Sequence, residues 1–420
     1  MPDQTTHRPN VLLVIADQWR ADACGYAGNA DVQTPHLDRF AGESIDCRLA
    51  MNGCPVCTPA RASLLTALRP HAHGLFLNDA PLDPSLPSLG KHFADAGYET
   101  AWVGKWHVDG NGRGAHIPRE RRHGFEHWRT LECTHAYHRS VYYRDDETDL
   151  RQWPGYDAVA QTADMQAWLR SRHPDRPFLG VLSWGPPHNP YDTAPADYRK
   201  CYDAADLRLP PNVPAQHREE AAGCLAGYYA HCTALDDCLA QLLATLEETG
   251  LAEDTIVLFT SDHGDLIGAH GLWDKQGPWD ESIRIPFLIR GPGLAAGVRS
   301  DLIIEWIDLW PTLCGLCHLE QPQSVHGRDL SAHLRDGTLP HENSGLYGSY
   351  QLFGNWPRIA QRNEVAAEYR PREARGLRSE RWTYIVDHDG PWLLYDNAAD
   401  PWQQRNLVAD PDHEEVRTGL

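Results

Sequence analysis

The sequence predicts a layered α/β fold on two observations: apolar, β-branched runs alternate with segments of helical periodicity, and the runs end in polar clusters. Asn10 to Ala16 (NVLLVIA) leads into Asp17-Gln18, the pattern of a buried strand that delivers side chains at its C-terminal edge. That edge is where α/β sheets place active sites. Similar strands are predicted at Glu99 to Val103, Phe178 to Trp184 and Thr255 to Thr260, the last running into Ser261-Asp262-His263-Gly264-Asp265. Helical periodicity spans Ser63 to Leu68, Ser88 to Ala96 and Tyr228 to Thr249, where Ala230, Leu235, Leu239 and Leu243 share one face.

Two polar, aperiodic stretches, Asp109 to Asp149 and Pro186 to Ala221, read as loops over a site. Aromatic residues in or next to the first stretch, Trp128, Tyr137, Tyr142, Tyr143 and Trp153, are candidates for stacking on a sugar or aryl ring, although such residues also pack in cores. Beyond Gly337, Arg381 to Asp387 and Pro391 to Tyr395 form a hairpin pattern around His388-Asp389-Gly390. The organisation expected is a main α/β domain over residues 1–337 and a smaller C-terminal α+β subdomain over 338–420.

With 420 residues, 41% hydrophobic and 23% charged, the chain can bury a large core and gives no reason to expect wholesale disorder. A formal net charge of −20 repels nucleic acid and anionic membranes, so an anionic substrate needs a local cluster of cations or a metal. The polar N-terminus and the short apolar run after it fit neither a signal peptide nor a membrane span, and a cytoplasmic location is expected. Eleven cysteines, odd in number and without framework spacing, suit reduced thiols. Cys314-x-x-Cys317 lies in an apolar helical pattern and reads as packing. A homo-oligomer is compatible with the sequence, which carries no heptads to specify one.

Cys57-Thr58-Pro59-Ala60-Arg61, followed by Ala62-Ser63-Leu64-Leu65-Thr66, carries the most chemistry. An ordinary reading makes Cys57 a buried cysteine and Thr58 the cap of a helix through Leu68, which accounts for the helix but not for Arg61. The segment resembles the C-x-P-x-R signature of the type I, formylglycine-dependent sulfatases of the alkaline phosphatase superfamily. The resemblance implies a large mixed sheet flanked by helices on both faces, with a small C-terminal antiparallel sheet. It also implies that a formylglycine-generating enzyme, as a transient partner, oxidises Cys57 to formylglycine. A hydrated aldehyde there can attack with one hydroxyl and expel the bound anion by deprotonating the other. Ala67 departs from the glycine usual in the family.

Further stretches resemble the family in its order. Asp17-Gln18 and Asp262-His263 look like its two metal-binding pairs, with Gln18 and His263 making the set less anionic than usual. The resemblance favours Ca²⁺, with Mn²⁺ or Mg²⁺ as alternatives. Gly104-Lys105-Trp106-His107 resembles the element whose lysine contacts the nucleophile and sulfate and whose histidine orients or deprotonates the diol. Pro186-Pro187-His188 resembles the element whose histidine helps bind sulfate and protonate the leaving oxygen. Lys275 resembles the lysine that reaches the bridging oxygen. The implied activity is hydrolysis of a small sulfate ester, of a carbohydrate or aryl alcohol, to alcohol and sulfate. Phosphonate monoester or phosphodiester hydrolysis with the same nucleophile is the alternative, raised by the Asp17-Gln18 and Asp262-His263 pairs, which are similar to that branch.

Overall fold

β1 (Asn10–Asp17) forms the middle of a ten-stranded sheet because its side chains are all buried, on both faces. The computed structural model describes residues 8–172, 175–349 and 373–420. The other strands are β2 (Ile45–Cys47), β3 (Glu99–Lys105), β4 (His127–Leu131), β5 (Val141–Arg144), β6 (Arg151–Gln152), β7 (Phe178–Pro187), β8 (Thr255–Ser261), β9 (Phe287–Arg290) and β10 (Val298–Ser300). They lie in the order β10, β2, β9, β8, β1, β7, β3, β4, β5, β6. The contiguous strands β8, β1, β7 and β3 are mutually parallel, while β9 and β5 pair antiparallel with their neighbours, so the sheet is mixed as expected.

The period-two geometry of β1 sorts the core into two layers. Leu12, Val14 and Ala16 pack with the helices Asp157–Arg170 and Arg218–Glu248, while Val11, Leu13 and Ile15 pack with Cys57–Thr66, Leu89–Asp95 and Leu309–Leu316. A second sheet, β11 (Ser344–Ser349), β12 (Ala374–Ser379), β13 (Trp382–Asp387) and β14 (Gly390–Asp396), is antiparallel throughout. Its Tyr347, Ala374, Ile385, Leu393 and Tyr395 share one apolar cluster with Met51, Trp279, Ile283 and Ile303. Arg378 grips Asp280 at 3.0 and 2.9 Å, and Tyr347 donates to the Gln276 carbonyl at 2.7 Å. The small sheet therefore buttresses the segment that carries Lys275.

Several expectations are corrected. The helix predicted from Ser63 to Leu68 runs Cys57–Thr66; Thr58 lies inside it and donates to the His107 carbonyl at 2.8 Å instead of capping. Arg218–Glu248 begins ten residues before Tyr228, because Ala221 and Leu225 continue its buried face. The stretch from Asp109 to Asp149 contains β4 and β5, whose short alternation is hidden among polar residues. Of the five aromatic residues proposed for stacking, Trp128, Tyr137, Tyr143 and Trp153 are buried, and Tyr142 stacks on Trp153 with ring centroids 3.8 Å apart. They pack the wall. Cys314 and Cys317 are buried free thiols, both pushed up to about 12 by burial.

Gly104 explains how β3 reaches the site. Its φ of +102° is closed to other residues, and a Cβ there would lie 2.0 Å from the Ser183 carbonyl oxygen of β7. Gly104→Ala is expected to destabilise the fold by roughly 2–5 kcal/mol through backbone strain and overpacking. Chemical denaturation checks this, and an unchanged midpoint would contradict the close approach of β3 and β7.

Candidate active site

Four adjacent parallel strands end at one place. Asp17 closes β1, Lys105 closes β3, His188 follows β7 and Asp262 follows β8. The Cys57–Thr66 helix lays its first turn across these ends, and all ten of its residues are buried. Cys57 Sγ lies 3.2 Å from His263 Nε2 and 3.8 Å from Asp17 Oδ1.

Arg61, one turn along that helix, is wholly buried and holds the strand ends together. Nε donates to Asp262 Oδ2 at 3.1 Å, one terminal nitrogen donates to the Lys105 carbonyl at 3.0 Å and Ser183 Oγ at 2.8 Å, and the other lies 3.5 Å from Asp17 Oδ2. Lys105 Nζ also donates to Asp17 Oδ2. Lys275 Nζ donates to Gln18 Oε1 and meets His188 Nε2, both at 2.7 Å. Gln18, at φ +68°, passes its Nε2 to Asp265 at 2.6 Å. His188 Nδ1 pairs with the Asn189 carbonyl at 2.9 Å, leaving Nε2 to accept from Lys275.

The field at residue 57 is cationic. Burial pushes the Cys57 thiol up, but Lys105, Lys275 and His263 outweigh it and hold the pKa well below the usual thiol value. Burial and Cys57 likewise raise Asp17, yet Lys105, His188 and Arg61 together hold it low. An anion is thus stabilised where Sγ stands, and Sγ marks the position that the hydroxyl oxygens of a formylglycine would take.

The donor set also fits a cation. Ligand atoms of Asp17, Cys57, Asp262 and His263 all lie within 4.8 Å of one another. His263 Nδ1 pairs with the Gly264 carbonyl at 2.9 Å, which leaves Nε2 facing Asp17 and Asp262 at 3.8 and 3.6 Å. Burial opposes charge on that imidazole, but Asp262 and Cys57 together outweigh burial and raise its pKa. The cluster therefore draws positive charge to the atom a metal would use. Gln18 sits at its edge, with its backbone N–H donating to Asp262 Oδ1 at 3.0 Å and its amide oxygen on Lys275.

All ten site residues read from the sequence come together here: Asp17, Gln18, Cys57, Arg61, Lys105, His107, His188, Asp262, His263 and Lys275. Others escaped that reading. Ser183 carried a signal, as a polar residue inside the apolar strand FLGVLSW, and Asp265 stood within the quoted SDHGD. Asn52, which donates to the Asp262 carbonyl at 2.8 Å, and Asp79, beside His107, carried none. His135 lies flat on His188, centroids 4.4 Å apart at 14°; burial first, then its histidine neighbour and Lys105, push its pKa down to about 2.

The model of the family described as "Sulfatase" matches residues 9–319, and that of "N-sulphoglucosamine sulphohydrolase, C-terminal" matches 268–420. This chain belongs to the sulfatase family. It is 39% identical to an ulvan-active sulfatase of Formosa agariphila over 98% of this chain and 80% of that protein. The solved structure of a candidate sulfatase, yidJ of Bacteroides fragilis, superposes with a TM-score of 0.87 at 27% identity, covering 100% of this chain and 95% of the other. The phosphonate monoester hydrolase of Agrobacterium radiobacter shares the fold at a TM-score of 0.78 and 24% identity, over 98% and 94% of the two chains. The protein is a sulfatase, hydrolysing sulfate esters, on the alkaline phosphatase-like fold.

Two predictions follow from the buried charges of this sulfatase. Arg61→Ala leaves Asp17 and Asp262 buried without their guanidinium, and in metal-free protein it should cost about 3–5 kcal/mol of stability; denaturation at matched salt checks this. Behind His188, His231 accepts from Tyr156 at 2.7 Å and lies 3.3 Å from the Pro190 carbonyl. Burial pushes its pKa down to about 3, from roughly 6.5 in an unfolded chain. Its contribution to stability is therefore full above the unfolded value and is lost as pH falls toward the folded one. Tm should drop through that window, and His231→Gln should make the drop shallower; equal slopes would contradict a neutral buried imidazole.

Proposed function

We propose that this sulfatase removes sulfate from a carbohydrate, using formylglycine made from Cys57 and one divalent cation. The observation that carries the reading is the field at residue 57, where a buried anion is held by Lys105, Lys275 and His263 in front of Asp17 and Asp262. The ulvan-active relative supports a sulfated polysaccharide or its fragments as the source of the ester.

Asp17, Asp262 and His263, with Gln18, would hold the cation, Ca²⁺ by resemblance, and it would supply Lewis-acid polarisation of a sulfate oxygen. Formylglycine would supply a hydroxyl nucleophile from its hydrated aldehyde. Lys105 and Lys275 bind the equatorial sulfate oxygens. Arg61 acts one step back, fixing both carboxylates and, through Ser183 and the Lys105 carbonyl, β7 and the end of β3. The proton that Lys275 shares with His188 Nε2 is placed to go to the departing alcohol oxygen. His107 is placed to take the proton whose loss releases sulfate from residue 57.

Phosphodiesters and phosphonate monoesters carry the same single negative charge as sulfate monoesters, so this cationic field binds either class. The 39% identical ulvan-active sulfatase favours sulfate. Rates on an aryl sulfate and an aryl phosphonate, measured side by side on metal-loaded protein, should favour the sulfate, and sulfated ulvan fragments should release inorganic sulfate. Lys275→Ala should lower kcat by about a hundredfold or more. A faster phosphonate reaction would overturn the sulfate reading, and an unaltered Lys275→Ala rate would overturn the role given to that lysine.

A further inference from the structure

His107 has two ring nitrogens in different surroundings. Nε2 lies 3.1 Å from Asp79 Oδ1. Nδ1 is buried and has no hydrogen-bond partner among the described residues, and the ring acts on the Cys57 thiol. Asp79 is clamped in turn by Arg113, whose Nε and a terminal nitrogen donate to its two carboxylate oxygens, each at 2.9 Å. The His107 contact, then the Arg113 contact against some opposition from burial, holds the Asp79 carboxyl well below the ordinary carboxylate range.

An ionised carboxylate only accepts hydrogen bonds, so the His107 nitrogen facing it must carry the proton. In the neutral ring the other nitrogen, Nδ1, then carries the lone pair. The backbone is shaped to keep this alignment. Asp79 and His107 both take left-handed conformations, at φ +65° and +62°. Thr58, next to Cys57, ties them: its hydroxyl donates to the His107 carbonyl at 2.8 Å and accepts from the Asp79 N–H at 3.3 Å, while its own N–H donates to Asn78 Oδ1 at 2.9 Å. Strained backbone at two non-glycine residues persists only where surrounding contacts over-determine it.

We propose that Asp79, braced by Arg113, is a positioning residue that fixes His107 as the Nε2–H tautomer and aims Nδ1 at the hydroxyl of residue 57. The inference rests on the formylglycine reading for its catalytic consequence, but the tautomer itself does not. When the Nδ1 lone pair takes the proton from that hydroxyl, the imidazolium formed is stabilised by the Asp79 carboxylate, and the proton returns to water after sulfate leaves. Arg113 and Asp79 are both partly exposed at the rim, so they can be substituted without opening the core.

The test uses the full-length, metal-loaded protein. Asp79→Asn keeps the size but lets an amide N–H face Nε2 and favour the other tautomer. The expected result is a fall in kcat of about a hundredfold or more with KM for an aryl sulfate little changed. Arg113→Gln, which removes only the brace, should give a smaller fall of the same kind. In parallel, ¹⁵N-histidine spectra of the parent should show His107 protonated at Nε2, and Asp79→Asn should shift that signature. An Nδ1–H tautomer in the parent, an unchanged kcat in folded Asp79→Asn, or a loss confined to KM would each overturn the proposal. An inactive parent with the Nε2–H signature intact would instead overturn the sulfatase mechanism and leave the positioning role standing.

Discussion

The site depends on one buried guanidinium. Asp17 and Asp262 come from strands separated by most of the chain, and both are completely buried, which by itself is a heavy penalty. Arg61 meets both carboxylates, and its remaining terminal nitrogen reaches the end of β3 at the Lys105 carbonyl and Ser183 within β7. One side chain thus ties together the four parallel strands that bear the chemistry. It also sets the helix register, since Arg61 can reach the carboxylates only when Cys57, one turn earlier, faces them. The spacing of cysteine and arginine is a geometric requirement of a helix laid across strand ends.

Charge is arranged in two layers. Next to residue 57 stand Lys105, Lys275, His188 and His263, which suit an anion. Behind them stand Asp17 and Asp262, which suit a cation; Asp17 keeps Lys105 charged despite burial, and Cys57, Asp17 and Asp274 do the same for Lys275. A chain of net charge −20 can therefore bind an anion without a basic surface. The C-terminal sheet contributes indirectly, because Arg378, Tyr347 and Tyr395 brace residues 276–280 and so the position of Lys275.

Much of this was legible in the sequence because it is local. NVLLVIA is apolar at every position, so burial on both faces and a central place in the sheet follow, and the carboxylate at its end falls on the functional edge. The ordered stretches at Cys57, Lys105, His188, Asp262 and Lys275 brought the family's site with them. What could not be read is what distant segments do to each other. Asp79 looks like any loop aspartate until it is seen against His107. The aromatic residues of the 109–153 region look available for a ligand until β4 and β5 fold them inward. Ala67, where the family has glycine, takes the left-handed φ of +53° at the helix end, a conformation that explains that glycine.

The convergence of two remote carboxylates and residue 57 on one cation is the claim on which the account turns, and an anomalous difference map from crystals grown with Mn²⁺ tests it directly. The account predicts one strong peak bounded by Asp17, Asp262 and His263, with the side chain of residue 57 facing it and Arg61 still joining the carboxylates. A map without a peak between those carboxylates, or with the metal held elsewhere and residue 57 turned away, would contradict it.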